Sequence, residues 1–315
     1  MQFMGYRRED GRVGVRNYVL ILPGCACASE TCRLVASEVR GTKNVIMNVG
    51  CSDVQANTDM NLRVLTGFAL NPNVFGVIVI GLGCETVGHR ELAAKIRAET
   101  SKPVVSFGIQ EIGGTVATTA AAVKAAREMV AQASEQQREP CDASDLFVAI
   151  ECGGSDATSG IASNPAVGNM SDRIVDLGGT TMMSETIEFV GAEHILAKRG
   201  ATPEIHDQII RICEDYEKHL AGVGQDCRTG QPTTGNKAGG LSTIEEKSLG
   251  CIHKGGTRPV VEVLQEAARP TKKGALIMDT PGYDISSVTS MVAGGATVVV
   301  FTTGGVHRPV TLWLR

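Results

Sequence analysis

Four cysteines recur in one context. Cys27, Cys51, Cys84 and Cys152 each follow an apolar run and sit in a glycine-bearing turn: Gly24-Cys25-Ala26-Cys27, Gly50-Cys51, Gly83-Cys84-Glu85 and Cys152-Gly153-Gly154. Thiolates gathered at one place select iron, zinc or an iron–sulfur cluster. A free cysteine also packs under a tight turn as a small hydrophobe, and the spacings here match no zinc-finger pattern.

Other strings carry polar chemistry. In Glu151-Cys152-Gly153-Gly154-Ser155-Asp156 the glycines can turn backbone N–H groups toward a carboxylate, with Ser155 and Asp156 adding a hydroxyl and an acid. If a helix starts near Ser184, Glu185 and Glu188 share a face, and with His194 they could bind metal or move protons. A capping box opening a solvated helix explains the same letters. Lys237, between glycines in Gly235-Asn236-Lys237-Ala238-Gly239-Gly240, suits an anionic substrate or a solvated linker. Asp279-Thr280-Pro281-Gly282 reads as a type II turn, or as a strand end that offers Asp279 or Thr280 to a site. His89 reads as a helix-terminal surface residue. No Walker loop, dinucleotide fingerprint or Gly-x-Ser-x-Gly elbow occurs.

These residues need a scaffold. Strands are expected at Tyr18 to Leu22, Asn44 to Val49, Val74 to Ile80, Val104 to Phe107 and Leu146 to Ile150, with helices at Ser29 to Arg40, Thr58 to Leu70, His89 to Glu99 and Gly114 to Ala133. Helices at Pro165 to Leu177, His194 to Arg199 and Thr202 to Leu220 follow, with strands at Ala275 to Met278 and Thr297 to Phe301. The glycine-rich stretch Ala221 to Gly240 is expected to be a mobile or binding loop. Alternating strands and helices imply an α/β fold with mainly parallel sheets flanked by helices. The polar run Gln136 to Ser144, with Pro140, is the expected boundary between domains 1–140 and 141–315. In such sheets ligands bind at the carboxyl ends of the strands, where all four cysteine turns fall.

Composition narrows the class. The 315 residues carry 30 basic and 34 acidic side chains, scattered, for a net charge of −4, which leaves no nucleic-acid footprint. No run reaches the roughly 18 to 20 apolar residues of a membrane helix, and no secretory leader is apparent. The chain therefore reads as cytoplasmic, where its 10 cysteines stay reduced.

Taken together the strings resemble the altronate/galactarate dehydratase family, to which the large subunit of sulfolactate sulfo-lyase is related. The matching passages, in the family's order, are Gly5-Tyr6-x-Arg8-x-Asp10-Gly11-Arg12-x-Gly14-x-Arg16-Asn17, Asn71-Pro72-Asn73-Val74 and Gly81-Leu82-Gly83-Cys84-Glu85. Then come Cys152-Gly153-Gly154-Ser155-Asp156, Asn164-Pro165-Ala166, Ser184-Glu185-Thr186, Gly191-Ala192-Glu193-His194, Gly235-Asn236-Lys237-Ala238-Gly239-Gly240-Leu241, Glu246-Lys247-Ser248-Leu249-Gly250 and Met278-Asp279-Thr280-Pro281-Gly282-Tyr283.

The resemblance implies a lyase that dehydrates a sugar acid to a 2-keto-3-deoxy acid by α-proton abstraction and β-hydroxyl loss, with sulfite elimination from sulfolactate as the alternative. It also implies ferrous iron (Mn2+ or an iron–sulfur cluster in its place) as Lewis acid. The expected ligands are Cys51, Cys84, Cys152 and Glu85. The expected proton-moving or charge-stabilising residues are Glu85, Lys237 and His194, and the expected substrate contacts are Gly153, Gly154, Ser155, Asp156, Asn236, Lys237 and Thr280. The chain opens at the Gly-Tyr-x-Arg motif, which resembles a two-subunit form completed by a separate small chain in a homo- or hetero-oligomer. The likeness stops after Phe301-Thr302-Thr303-Gly304, so a truncated or frame-shifted, inactive large subunit is a further expectation, with the single Trp313 in the unmatched tail.

Overall fold

The computed structural model describes residues 1–304, so the tail beyond Gly304, where the likeness is expected to stop, lies outside the described residues. The chain divides between Cys141 and Asp142 into two compact units.

The first unit opens with an antiparallel ribbon, β1 (Gln2–Arg7) on β2 (Val13–Gly14), extended by β7 (Glu139–Asp142) on the far side of β1. The polar boundary run thus ends in a strand. A four-stranded parallel sheet follows, in the order β4 (Thr42–Asn44), β3 (Tyr18–Pro23), β5 (Val74–Gly81), β6 (Val104–Gly108). Val19 to Leu22 and Val77 to Ile80 are inaccessible to water, as expected of strands covered on both faces. Val19, Ile21, Ile78 and Ile80 pack with α1 (Ala26–Glu38) and α5 (Thr115–Glu135). Helix α5 buries Thr118, Ala122, Ala126, Met129 and Ala133, a stripe at helical spacing. Helices α2 (Gln55–Leu70) and α3 (His89–Glu99) pack together and on β5, and α4 (Ile109–Ile112) is a single turn. The expected strand at 44–49 stops at Asn44. Beyond it the chain turns away, and the Met47 backbone pairs with the Ser29 hydroxyl instead of a neighbouring strand.

The second unit is a five-stranded parallel sheet in the order β10 (Val260–Leu264), β11 (Ala275–Met278), β9 (Thr180–Met183), β8 (Phe147–Cys152), β12 (Val298–Thr302). Its helices are α6 (Asn164–Asp176), α7 (Glu193–Leu196), α8 (Pro203–Gly222), α9 (Cys227–Gly230), α10 (Thr234–Ala238), α11 (Ile244–Cys251) and α12 (Asp284–Ala293). Helix α8 starts where sequence demands: Thr202 accepts from the Ile205 amide, Pro203 takes the first position, and Ile205, Ile209 and Cys213 form its buried stripe. The expected loop 221–240 folds into α9 and α10, each capped by a side chain, Asp226 and Thr233 respectively. Strand order reverses beside β8, because β9 lies on one side of it and β12 on the other. That is where an open α/β sheet leaves a crevice.

Ile277 in β11 is fully buried. Ile277→Ala should cost about 2–5 kcal/mol of stability, read as a lowered denaturant midpoint for the whole chain; an unchanged midpoint would refute its place in the core.

Candidate active site

Three elements of the second unit converge at the carboxyl end of β8. The strand ends on Glu151 and Cys152, both buried. Next to it β9 ends at Met183, and the chain turns through Ser184 and Glu185 into a single 3-10 turn, Thr186–Glu188. Glu185 has φ +68°, a left-handed conformation that a non-glycine residue rarely adopts. Thr280 holds it there: its Oγ1 accepts the Glu185 N–H at 2.8 Å, and its carbonyl accepts the Thr186 N–H at 3.1 Å. The third element is α11 and the 3-10 turn Ile252–Gly255 after it. Lys247, Cys251 and Lys254 follow at spacings of four and three, so one helical face presents all three.

Lys254 is 0% exposed. Its Nζ donates to Glu188 Oε2 at 2.6 Å and to Cys152 Sγ at 3.0 Å, and lies 3.7 Å from Glu185 Oε2. The Cys152 thiol donates to Glu188 Oε2 at 2.8 Å, and the Cys152 and Cys251 sulfurs are 3.9 Å apart. Lys247 Nζ sits 3.6 Å from Glu188 Oε1 and donates to Gln231 Oε1. Behind this layer Glu151 Oε2 accepts from Ser287 at 2.8 Å and Ser184 at 3.2 Å.

Burial penalises every charge here, and the partners decide which survive. Burial pushes Glu188 upward, but Lys254 and then Lys247 outweigh it and hold the carboxyl down at about 2. Burial equally opposes the Lys254 ammonium, which the Cys152 sulfur and the carboxylates of Glu188 and Glu185 keep charged. Glu151 rises to about 7, because burial exceeds the pull of Lys254. Burial, then Glu188 and Glu151, push Glu185 well up. Cys152 stays a thiol, first through its contact with Cys251 and then through burial.

The layer opens on a cleft of about 420 Å³ lined by Cys152, Glu185, Glu188, Asn236, Lys247 and Asp284 among others. Two sets of three potential metal ligands occur among the described residues, each with its donor atoms within 4.8 Å of one another: Cys152, Glu188 and Cys251, and Glu151, Glu185 and Asp284. In the second set Glu151 Oε1 and Glu185 Oε2 are buried without a hydrogen-bond partner, which is what a site shaped for a cation leaves behind.

Residues 143–308 match the model of the D-galactarate/altronate dehydratase C-terminal domain, and residues 5–134 that of the second domain of D-galactarate dehydratase/altronate hydrolase. The chain belongs to the D-galactarate/altronate dehydratase family. It is 40% identical to the (2R)-sulfolactate sulfo-lyase subunit beta of Chromohalobacter salexigens, over 96% of this chain and 77% of the relative. It is 34% identical to the altronate dehydratase of Bacillus subtilis and 36% to the L-threo-forming galactarate dehydratase of Escherichia coli, each over 96% of this chain. It spans only 62% and 61% of those two dehydratases.

Against this candidate site the residues singled out in the sequence divide. Cys152, Ser155 and Asn236 are in it, but Asn236 is already engaged, accepting from the Thr233 amide and donating to the Ser155 carbonyl at 2.8 Å. Asp156 lines the cleft, with Oδ1 occupied by Thr158 and Ser159. Gly153 and Gly154 line it too, yet the Gly153 N–H is spent on the Thr302 carbonyl and is not free to hold a carboxylate. Its glycine serves packing, since a Cβ there would come within 2.7 Å of the Phe301 ring. Thr280 acts behind Glu185. Lys237 and His194 are exposed, and neither lines the cleft.

The remaining expected ligands belong to the first unit. Cys51 and Cys84 are exposed there, as is Cys27. Glu85 uses its carboxylate on the N–H groups of Leu82, Gly83 and His89; burial pushes its pKa up, and those amides bring it below its ordinary value. Neither ligand set includes Cys51, Cys84 or Glu85. His89 is buried rather than superficial, with Nε2 3.4 Å from Glu111. Sequence reasoning missed Glu151, Lys247, Cys251 and Lys254. The last three carry a usable signal, a helical-spacing stripe of Lys, Cys and Lys; Glu188, which the sequence groups with Glu185 and His194, lines the cleft with Glu185, and His194 does not.

Lys254→Met should destabilise the chain by about 3–5 kcal/mol, because it removes the nearer cation from a buried ionised Glu188 and leaves only Lys247 at 3.6 Å, and adding Glu188→Gln should recover part of that loss. Chemical denaturation checks this; a Lys254→Met variant as stable as wild type would dismiss the buried ion pair.

Proposed function

We propose that the chain is a lyase that dehydrates a sugar acid of the altronate or galactarate type to a 2-keto-3-deoxy acid, and that elimination takes place in the second-unit cleft. The single observation that carries the reading is the buried Lys254–Glu188–Cys152 cluster opening onto a cleft that also holds Lys247. The family supports the reaction class.

Dehydration of a 2,3-dihydroxy acid breaks the C2–H and C3–O bonds. The C2 proton goes to a base, the C3 hydroxyl takes up a proton and departs as water, and the enol that remains gives up its O–H proton and gains one at C3 to become the 2-keto acid, so the net loss is one water. Among the buried glutamates Glu151, Glu185 and Glu188, only Glu188 is held low by its lysines, so it can accept the C2 proton. Lys247 faces the cleft as a cation matched to the substrate carboxylate. When Lys247 turns to that carboxylate its hold on Glu188 weakens, which strengthens the base as substrate arrives. Lys254, sealed behind, positions Glu188 and keeps the Cys152 thiol turned toward it. Ferrous iron, with Mn2+ or an iron–sulfur cluster in its place, belongs to this reading. Held by Glu151, Glu185 and Asp284, which leaves Glu188 free as the base, it would supply a Lewis acid for the leaving group.

One observation favours a second reading: identity and coverage are higher against the sulfo-lyase subunit than against the dehydratases. In that case the C2–H step is unchanged and sulfite leaves from C3 of sulfolactate. That relative is named as a subunit, which supports a separate small partner chain in an oligomer.

Offering galactarate, altronate and sulfolactate to protein purified without oxygen, and measuring 2-keto acid and free sulfite, separates the two. Glu188→Gln should lower kcat about 10²–10⁴-fold, and Lys247→Ala should raise KM about tenfold or more through a lost charge-assisted contact. Full turnover by Glu188→Gln, or no product from any of the three acids, would defeat the proposal.

A further inference from the structure

Resting on the lyase reading, we propose that the carboxylates of Glu151, Glu185 and Asp284, not the cysteine thiols, form a divalent-cation site at the carboxyl ends of β8 and β9. The argument starts from charge. In the thiol set, Lys254 already bonds two of the three donor atoms, Glu188 Oε2 at 2.6 Å and Cys152 Sγ at 3.0 Å. A cation placed there would meet a sealed ammonium at contact distance, and like charges that close repel strongly where water cannot screen them. In the carboxylate set Lys254 reaches only Glu185, at 3.7 Å.

The carboxylate set also has the features of a vacancy in the charge balance. Glu151 is 0% exposed, its Oε2 is held by two serine hydroxyls, and its Oε1 has no hydrogen-bond partner. A buried carboxylate oxygen left unmatched is costly. Glu185 Oε2 is a second buried oxygen without a hydrogen-bond partner, with only the Lys254 ammonium 3.7 Å away, and the strained backbone that aims it is fixed by Thr280. Asp284 completes the set from the first turn of α12. Three carboxylate oxygens are a hard donor set, suited to Mg2+, Mn2+ or Fe2+ rather than to a soft, thiol-seeking ion. Glu185 and Asp284 line the cleft while Glu151 lies behind them, so the ion would face a bound hydroxy acid on one side only.

The test is binding of Mn2+ alone to the full chain stripped with chelator, followed by loss of the free-ion electron paramagnetic signal, without substrate. One Mn2+ per chain is expected. Glu151→Gln and Asp284→Asn should each weaken binding at least tenfold, with the fold checked by circular dichroism, whereas Cys152→Ser and Cys251→Ser should shift it less than twofold. Loss of binding only in the cysteine variants, equal binding in all four, or no uptake by the wild type would overturn the site. Because no turnover is read, binding that depends on the carboxylates in a protein inert toward all three acids would refute the lyase reading and leave this site standing. Turnover with carboxylate-independent binding would do the reverse.

Discussion

A lysine ammonium sealed from water governs the second unit. Lys254 is inaccessible, and an unmatched charge there would cost more than the fold can spare. It therefore requires Glu188 at 2.6 Å and the Cys152 sulfur at 3.0 Å. Those requirements fix where β8 ends, how β9 turns and where the turn after α11 sits. Thr280, just past the carboxyl end of β11, holds the Glu185 turn, and Asn236 ties α10 to the Ser155 carbonyl. Even the segment that reads as a loose glycine-rich loop is recruited into this frame.

The same constraint orders the chemistry. Among several acids in one small volume, proximity to lysine decides which is ionised. Glu188, with two lysines, is held low; Glu151 and Glu185, farther from compensation, are pushed up. One cluster thus holds an ionised carboxylate next to carboxyls that call for another cation, a division that suits a reaction needing both a base and an electrophile.

Much of the scaffold was legible in the sequence because parallel strands write themselves as apolar β-branched runs, such as Val77 to Ile80, and α5 as a stripe of alanines. Short or irregular pieces were not. Thr180–Met183 has four residues, and the run past Asn44 looks like a strand but keeps a single bond to β3, from the Val45 N–H to the Ile21 carbonyl, before it turns away. Of the site, the pattern revealed the turn after β8 and the Glu185–Glu188 spacing. It could not rank the strand-end cysteines, because local context is alike at Cys51, Cys84 and Cys152. What separates them is burial and a lysine 102 positions away in the chain. The opposite error befell Lys237 and His194: their neighbours are suggestive glycines and acids, yet both side chains face solvent. Lys254 is the reverse: apart from its helical spacing from Lys247 and Cys251 nothing local marks it, yet it is sealed from water.

The most direct test follows the C2 hydrogen of each candidate acid by proton magnetic resonance in D2O, for the wild type, Lys254→Met, Glu188→Gln and the double variant. If the two residues form one unit, their effects are strongly non-additive, and the double variant should lose the C2–H signal no more slowly than the slower single variant. Rates of loss that multiply across the two substitutions, or C2–H loss untouched by either, would contradict the account.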